Sequence, residues 1–290
     1  MLNAIKMDLY KMFKSKSTWI LLICLVAVSF ATVGMMKLSL EQYKKNPELI
    51  KQVEELNSDD NINVGIQAGT DNNIREHVDG LKYSINDLFA GVVNGSMIGL
   101  FIAIFSLIFF NSELKTGYIK NIAGQFTKRR YLIFSKLVVS FVFVLFAFIL
   151  SLLSLIIGSK LFLGYIAIGG TSALLKVVLT QFILAIAVSA LILLIVEWFR
   201  NTAGSIVTSM CFVVGFGNLI VMFLNKFLTG NDIIKDKDFN LANYILTGNI
   251  SRIGPASSSK DLITAAIVAG VFILLSVIGS VLALEKRDIK

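Results

Sequence analysis

Glu113 and Gly117 open a polar segment, residues 111–136, that separates two long apolar stretches of the chain. Their four-residue spacing is followed by Lys120, Asn121 and a basic cluster, namely Lys128, Arg129, Arg130 and Lys136. Anchoring of positive charge at the cytosolic face of a membrane explains the basic cluster fully. It does not explain the spacing of Glu113 and Gly117. The segment therefore predicts a surface that binds another cytosolic molecule, and we call residues 112–131 the hinge.

Few other residues could support chemistry. His77 is the only histidine, and Cys24 and Cys211 both fall inside apolar stretches, where cysteine commonly acts as a small hydrophobic residue. No glycine-rich phosphate-binding loop of the form GxxxxGK[ST] occurs. We therefore predict no catalytic residue, no metal site and no cofactor on this chain, and no nucleic-acid partner.

The apolar stretches predict an all-α integral membrane protein. The 290 residues are 56% hydrophobic and only 16% charged, and a transmembrane helix needs about 20 apolar residues. Six stretches reach this length: 18–37, 88–111, 132–157, 177–199, 203–225 and 262–284. The first follows a basic amphipathic stretch without a small-residue cleavage site, which favours a retained span over a signal peptide. We predict a single transmembrane domain over residues 1–290.

Six spans place both termini on one side of the membrane. The lysine and arginine residues divide almost equally between the two sides, but those on the side of the termini lie in short segments beside span ends. Only such segments determine orientation, because long loops cross the membrane regardless of charge. The sequence thus predicts a multi-pass protein of the cell membrane with both termini in the cytosol.

Residues 1–17 predict an interfacial helix. Apolar residues at helical spacing are Leu2, Ile5, Leu9, Met12 and Phe13, and the basic residues Lys6, Lys11 and Lys14 lie on the other side. Such a helix lies in the membrane surface with its lysines toward anionic lipid headgroups, and Trp19 follows as an aromatic interface residue. The alternative is an N-terminus that only sets the topology.

Two segments are predicted on the outer side. Residues 38–87 form an extracellular insert in which acidic residues outnumber basic ones. It either attracts cationic or amphipathic molecules or is a solvated cap without a partner. Residues 226–260 alternate apolar residues with Asn, Gly and Arg, which is typical of an amphipathic segment that lies on the outer leaflet or dips into it.

Three further predictions concern the spans. Gly91, Gly95 and Gly99 recur every four residues, which allows close helix packing either within the chain or at a homodimer seam. Lys136 lies near a span end, from where its side chain can reach the headgroups. Glu197 and Arg200 are spaced to pair on one helix at the membrane surface.

In this order, the elements resemble the permease subunit of an ABC type-2 transporter. The residues that carry the resemblance are Glu113, Gly117, Lys120, Asn121, Arg129 and Lys136. The resemblance implies that two permeases, identical or paralogous, each bind a cytosolic ABC ATPase that holds ATP and magnesium. It also implies that the hinge is a coupling helix whose ATPase contacts are Glu113, Gly117, Lys120, Asn121, Lys128 and Arg129.

Short permeases of this layout are similar to bacterial exporters of lantibiotics and modulin peptides. The resemblance thus implies export of antimicrobial or cytolytic peptides, or of amphipathic drugs, by a bacterial protein. Two alternatives stay open. One is an ion- or proton-coupled secondary transporter, and the other is a membrane sensor or anchor that transports nothing.

Overall fold

The computed structural model of the protein describes residues 2–45, 84–94, 97–115, 130–167, 170–199, 201–214, 241–255 and 257–285, with 221, 223, 224 and 227. Every regular element in these ranges is helical, which agrees with the predicted all-α membrane protein. Helices satisfy their own backbone hydrogen bonds, and this is why apolar stretches adopt them in lipid.

The helices are numbered here in chain order. They are α1 (Leu2–Lys14), α2 (Lys16–Lys45), α3 (Ile85–Asn94), α4 (Met97–Lys115), α5 (Arg130–Gly158), α6 (Thr171–Phe199), α7 (Thr202–Val214), α8 (Leu246–Arg252) and α9 (Ser259–Glu285). The last turn of α5 widens into a π-helix over Ser159–Leu163, and a 3-10 turn, Leu241–Tyr244, precedes α8.

Within the described ranges, four helices are long and apolar enough to cross a membrane: Lys16–Ser39, Arg130–Leu163, Thr171–Phe199 and Ser259–Glu285. They correspond to the predicted first, third, fourth and sixth spans. The pair Ile85–Val93 and Met97–Ser112, bent by 46°, would provide the second span. Helix α7 begins where the fifth was predicted, but most of that span beyond α7 lies outside the described residues. The count of six spans therefore stays a prediction.

Polar side chains mark several helix ends. The Ser84 amide donates to Asp87 Oδ2 at 3.1 Å at the start of α3, and the Ala203 amide donates to Asn201 Oδ1 at 3.1 Å at the start of α7. Such caps satisfy amides that have no partner within the helix. The π-helix ends at Gly164, whose φ of 77° lies in the left-handed region that glycine adopts without steric cost.

Helix α6 lies at the centre of the bundle, in contact with α4, α5 and α7 and along much of its length with α9. The end of the bundle at which α4 ends and α5 begins is called the hinge end. Helix α1 packs on α5 at this end. Leu194 and Gly279 meet toward the same end, so α9 also ends there. The prediction that this end is cytosolic remains a prediction.

The opposite end is closed by the segment that precedes α9. Leu246, Asn249 and Ile253 are completely buried, and Gln181 Nε2 in α6 donates to the Ile253 carbonyl at 3.1 Å. The described part of the predicted outer segment is therefore packed against protein. The predicted extracellular insert is described only at its two ends, in α2 and α3. The boundaries of both segments stay predictions.

Candidate functional site

Two helices, α4 and α5, flank the predicted hinge. The intervening residues 116–129 lie outside the described residues, and they include the predicted ATPase contacts Gly117, Lys120, Asn121, Lys128 and Arg129. Glu113 belongs to the last turn of α4 by its backbone. The coupling role of these residues stays a prediction. The described part of the site consists of the helices that the hinge joins and of the polar contacts at their ends.

Lys136 and Glu197 form a buried ion pair at the hinge end. Lys136 Nζ lies 2.8 Å from Glu197 Oε1, and the two side chains are 2% and 1% exposed. The pair joins the second turn of α5 to the last turn of α6. The expectation that Lys136 reaches the headgroups is wrong, and Glu197 pairs with this lysine of a neighbouring helix. Burial of one charge is tolerated because the opposite charge is adjacent.

Ser135, the residue before Lys136, binds a different helix. Its hydroxyl donates to Asp8 Oδ2 in α1 and to the Leu132 carbonyl at 3.0 Å. Asp8 is 2% exposed, and a buried carboxylate requires such hydrogen-bonded partners. Two consecutive residues of α5 thus connect it to α1 on one side and to α6 on another.

A third polar contact joins α4 to α7. Ser205 Oγ donates to Asn111 Oδ1 at 3.1 Å, and both side chains are buried. Asn111 lies one turn before α4 ends, and Ser205 lies in the first turn of α7. Together with the two contacts of α5, it defines the polar layer of the hinge end: Asp8, Asn111, Ser135, Lys136, Glu197 and Ser205.

Helix α1 contacts both helices that flank the hinge. It buries Ala4, Asp8 and Met12, and α5 is the helix that it contacts most. The ammonium group of Lys11 lies 5.3 Å from the centre of the Phe109 ring in α4, within the range of a cation–π interaction. This differs from the predicted interfacial pattern, since Met12 faces the core and Lys11 faces α4.

The other predicted anchors lie at the surface. Lys6 and Lys14 are exposed, as are Leu2 and Phe13 of the predicted apolar stripe. Trp19 is half exposed, and its indole Nε1 donates to the Phe13 carbonyl at 2.9 Å, which ties the start of α2 to the end of α1.

The glycine series does not lie on one continuous helix. Gly91 belongs to α3 and Gly99 to α4, and Gly95 lies outside the described residues at the break between them. Among the described residues, no atom lies within 4 Å of a methyl group added at Gly99. The role of the three glycines in helix packing, within the chain or at a dimer seam, stays a prediction.

The polar layer is suited to holding helices together. Across the described residues, no group of three histidine, cysteine, aspartate or glutamate side chains could hold a metal ion. The layer consists of interhelical contacts between elements that begin or end at the hinge end. The sequence interpretation missed Asp8, Asn111, Ser135 and Ser205. One feature of the sequence could have identified Asp8. It is the single acidic residue of α1, and it lies four residues from Ala4 and four from Met12, on the helix face that is buried.

Residues 78–218 match a family model described as ABC-2 family transporter protein. No curated protein matches the chain. The match covers just under half of the 290 residues and contains the hinge, α4 to α7 and five members of the polar layer. It supports the interpretation of the chain as a transmembrane permease subunit of an ABC transporter, a type of subunit that works with a cytosolic ATPase.

Proposed function

We propose that the chain is the transmembrane subunit of an ATP-driven exporter that moves amphipathic substrates out of the membrane or the cytosol. A separate ABC ATPase, which binds ATP and magnesium, supplies the energy. The favoured substrates are antimicrobial or cytolytic peptides, or amphipathic drugs. A second permease, identical or paralogous, completes the transporter.

One observation carries the proposal: the hinge of the matched family segment leads directly into a buried polar layer. Helix α5 leaves the hinge at Arg130 and is bound within two turns to α1 and α6. Helix α4 enters the hinge and is bound to α7. A displacement of the hinge by a bound ATPase would therefore move several helices and not a loop alone.

The proposed mechanism follows from these connections. Closure of two ATPases on ATP displaces the hinge, in which Glu113 and Gly117 position the docking helix and Lys120, Asn121, Lys128 and Arg129 contact the ATPase. Rearrangement of the spans then opens a substrate path along the interface of the two permeases.

Aromatic residues of α5 support an amphipathic substrate. Phe134, Phe141 and Phe146 lie on the surface of the bundle, where they would contact lipid tails or the apolar face of a bound amphiphile. The acidic composition of residues 38–87 would attract cationic molecules. Both features suit a cationic amphipathic peptide.

Replacement of Glu113 by Gln or of Gly117 by Pro tests the hinge. The complex of this chain with the ABC ATPase that co-purifies with it is reconstituted in liposomes with a fluorescent cationic amphipathic peptide. We expect both variants to hydrolyse ATP while peptide movement per ATP falls. Glu285→Gln, the same change at an exposed position at the end of α9 and outside the hinge, serves as the control. Unchanged coupling in both hinge variants would contradict the assigned role.

A cell lacking this chain tests the substrate class. We expect increased sensitivity to cationic amphipathic peptides, measured as a lower inhibitory concentration, and restoration by the intact chain but not by the Gly117→Pro variant. Normal resistance across a broad panel of peptides and drugs would exclude these substrates and leave the permease assignment standing.

The buried ion pair is the observation that suggests a second candidate function, that of a proton- or ion-coupled secondary transporter. Such proteins place ionisable residues near the bilayer midplane. Lys136 and Glu197 instead lie near helix ends, which favours the ATP-driven mechanism. Transport driven by a proton gradient in liposomes without the ATPase would establish the alternative.

A further inference from the structure

The ion pair differs in kind from the surrounding contacts between α5 and α6. Most of that interface is apolar, including Phe148 of α5, whose ring meets Phe182 of α6 edge to face at 5.6 Å. In lipid, apolar helix contacts compete with equally apolar lipid tails and resist sliding weakly. A buried ion pair at 2.8 Å is directional, because both charges must stay adjacent, and this suits it to setting the register of the two helices.

The ion pair lies next to a second contact that joins α5 to another helix. Ser135 and Lys136 are consecutive and therefore point roughly 100° apart around α5. One binds Asp8 in α1, and the other binds Glu197 in α6. The first turns of α5 after the hinge are thus held on two sides, and α6 is the helix that contacts most of the bundle.

We propose that Lys136 and Glu197 are positioning residues that transmit displacement of the hinge from α5 to α6. The inference rests on the proposed function, because the hinge moves only if an ATPase binds it. Without the pair, α5 still follows the hinge through the chain, but α6 does not follow α5. The ATPase would then bind and hydrolyse ATP without rearranging the spans.

Spin labels at exposed positions separate the motion of the two helices. One label replaces Ile23 in α2, which does not flank the hinge, and the second replaces either Ile149 in α5 or Leu179 in α6. All three positions lie on the bundle surface. Cys24 and Cys211 are exposed and are first changed to serine. Distances are measured by pulsed electron spin resonance on the reconstituted complex with its ATPase, with and without ATP.

We expect both distances to change on addition of ATP when the pair is intact. In the double variant Lys136→Met/Glu197→Leu, the 23–149 change should persist, and the 23–179 change should be lost. The charge-exchanged variant Lys136→Glu/Glu197→Lys should restore it. Glu197→Gln keeps the shape of the side chain and an acceptor oxygen but removes its charge, and it should lose the distance change at position 179 as the double variant does. If the double variant fails to fold, Glu197→Gln replaces it.

A matched control removes a neutral buried contact. Ser106 of α4 and Ser189 of α6 share a hydrogen bond of 2.8 Å farther from the hinge end. The double variant Ser106→Ala/Ser189→Ala should retain both distance changes. An unaltered 23–179 change in the Lys136→Met/Glu197→Leu or Glu197→Gln protein would overturn the inference alone. Absence of any ATP-dependent change in the unsubstituted complex would overturn both the inference and the proposed function.

Discussion

Lys136 and Glu197 show how membrane helices tolerate buried charges close to their ends. Either charge alone would be costly to bury, since removal of one partner from a buried pair destabilises by about 3–5 kcal/mol, while replacement of both by apolar residues is often neutral. The pair is therefore weak support for stability as such. Its directional character is what distinguishes it from the apolar contacts around it.

This asymmetry gives a prediction at the scale of the residue. Lys136→Met should lower the midpoint of thermal unfolding in detergent, because the Glu197 carboxylate stays buried without the Lys136 ammonium. The double change Lys136→Met/Glu197→Leu should return the midpoint close to that of the unsubstituted protein. Lys160→Met, at an exposed lysine, should change it little. Equal loss in the single and double variants would show that the charges are not paired.

At the scale of the element, α1 is a docked helix. Its buried face contains Ala4, Asp8 and Met12, and the Ser135 hydroxyl binds the carboxylate. Loss of this contact should release α1 from α5. The consequence is testable without knowledge of the substrate.

Asp8→Ala should therefore speed trypsin cleavage after Lys6, Lys11 or Lys14, measured by mass spectrometry of the intact protein during limited digestion. Ser135→Ala should act in the same direction, because it removes the other partner. Asn3→Ala, at an exposed position of α1, is the control. Cleavage at the same rate in all four proteins would contradict the docking role of Asp8.

The elements were more predictable from sequence than their contacts. Apolar stretches of bilayer length predicted the long helices, because length and composition alone determine whether a segment can span lipid. The break at residues 95–96 was not predicted, since the glycine spacing also suited a continuous packed helix. Lys136 and Glu197 are 61 positions apart, and no local periodicity identifies such a partner. For this reason the headgroup position expected for Lys136 was wrong.

At the scale of the whole molecule, the polar layer of the hinge end contains residues of five helices. They are α1, α4, α5, α6 and α7, and residues 78–218 match an ABC-2 transporter family. The sequence of the chain contains no GxxxxGK[ST] pattern. In the proposed function, a separate ATPase supplies the movement and this chain transmits it.

The most direct test is co-purification of this chain with the ABC ATPases of its own genome, one at a time. The two proteins are co-expressed, the permease is captured through a tag, and bound ATPase is measured by its ATP hydrolysis. We predict stoichiometric capture by the intact chain, and loss of capture when residues 116–129 are replaced by a glycine–serine linker of equal length. Absence of every one of these ATPases from the intact permease, with and without ATP, would contradict the account.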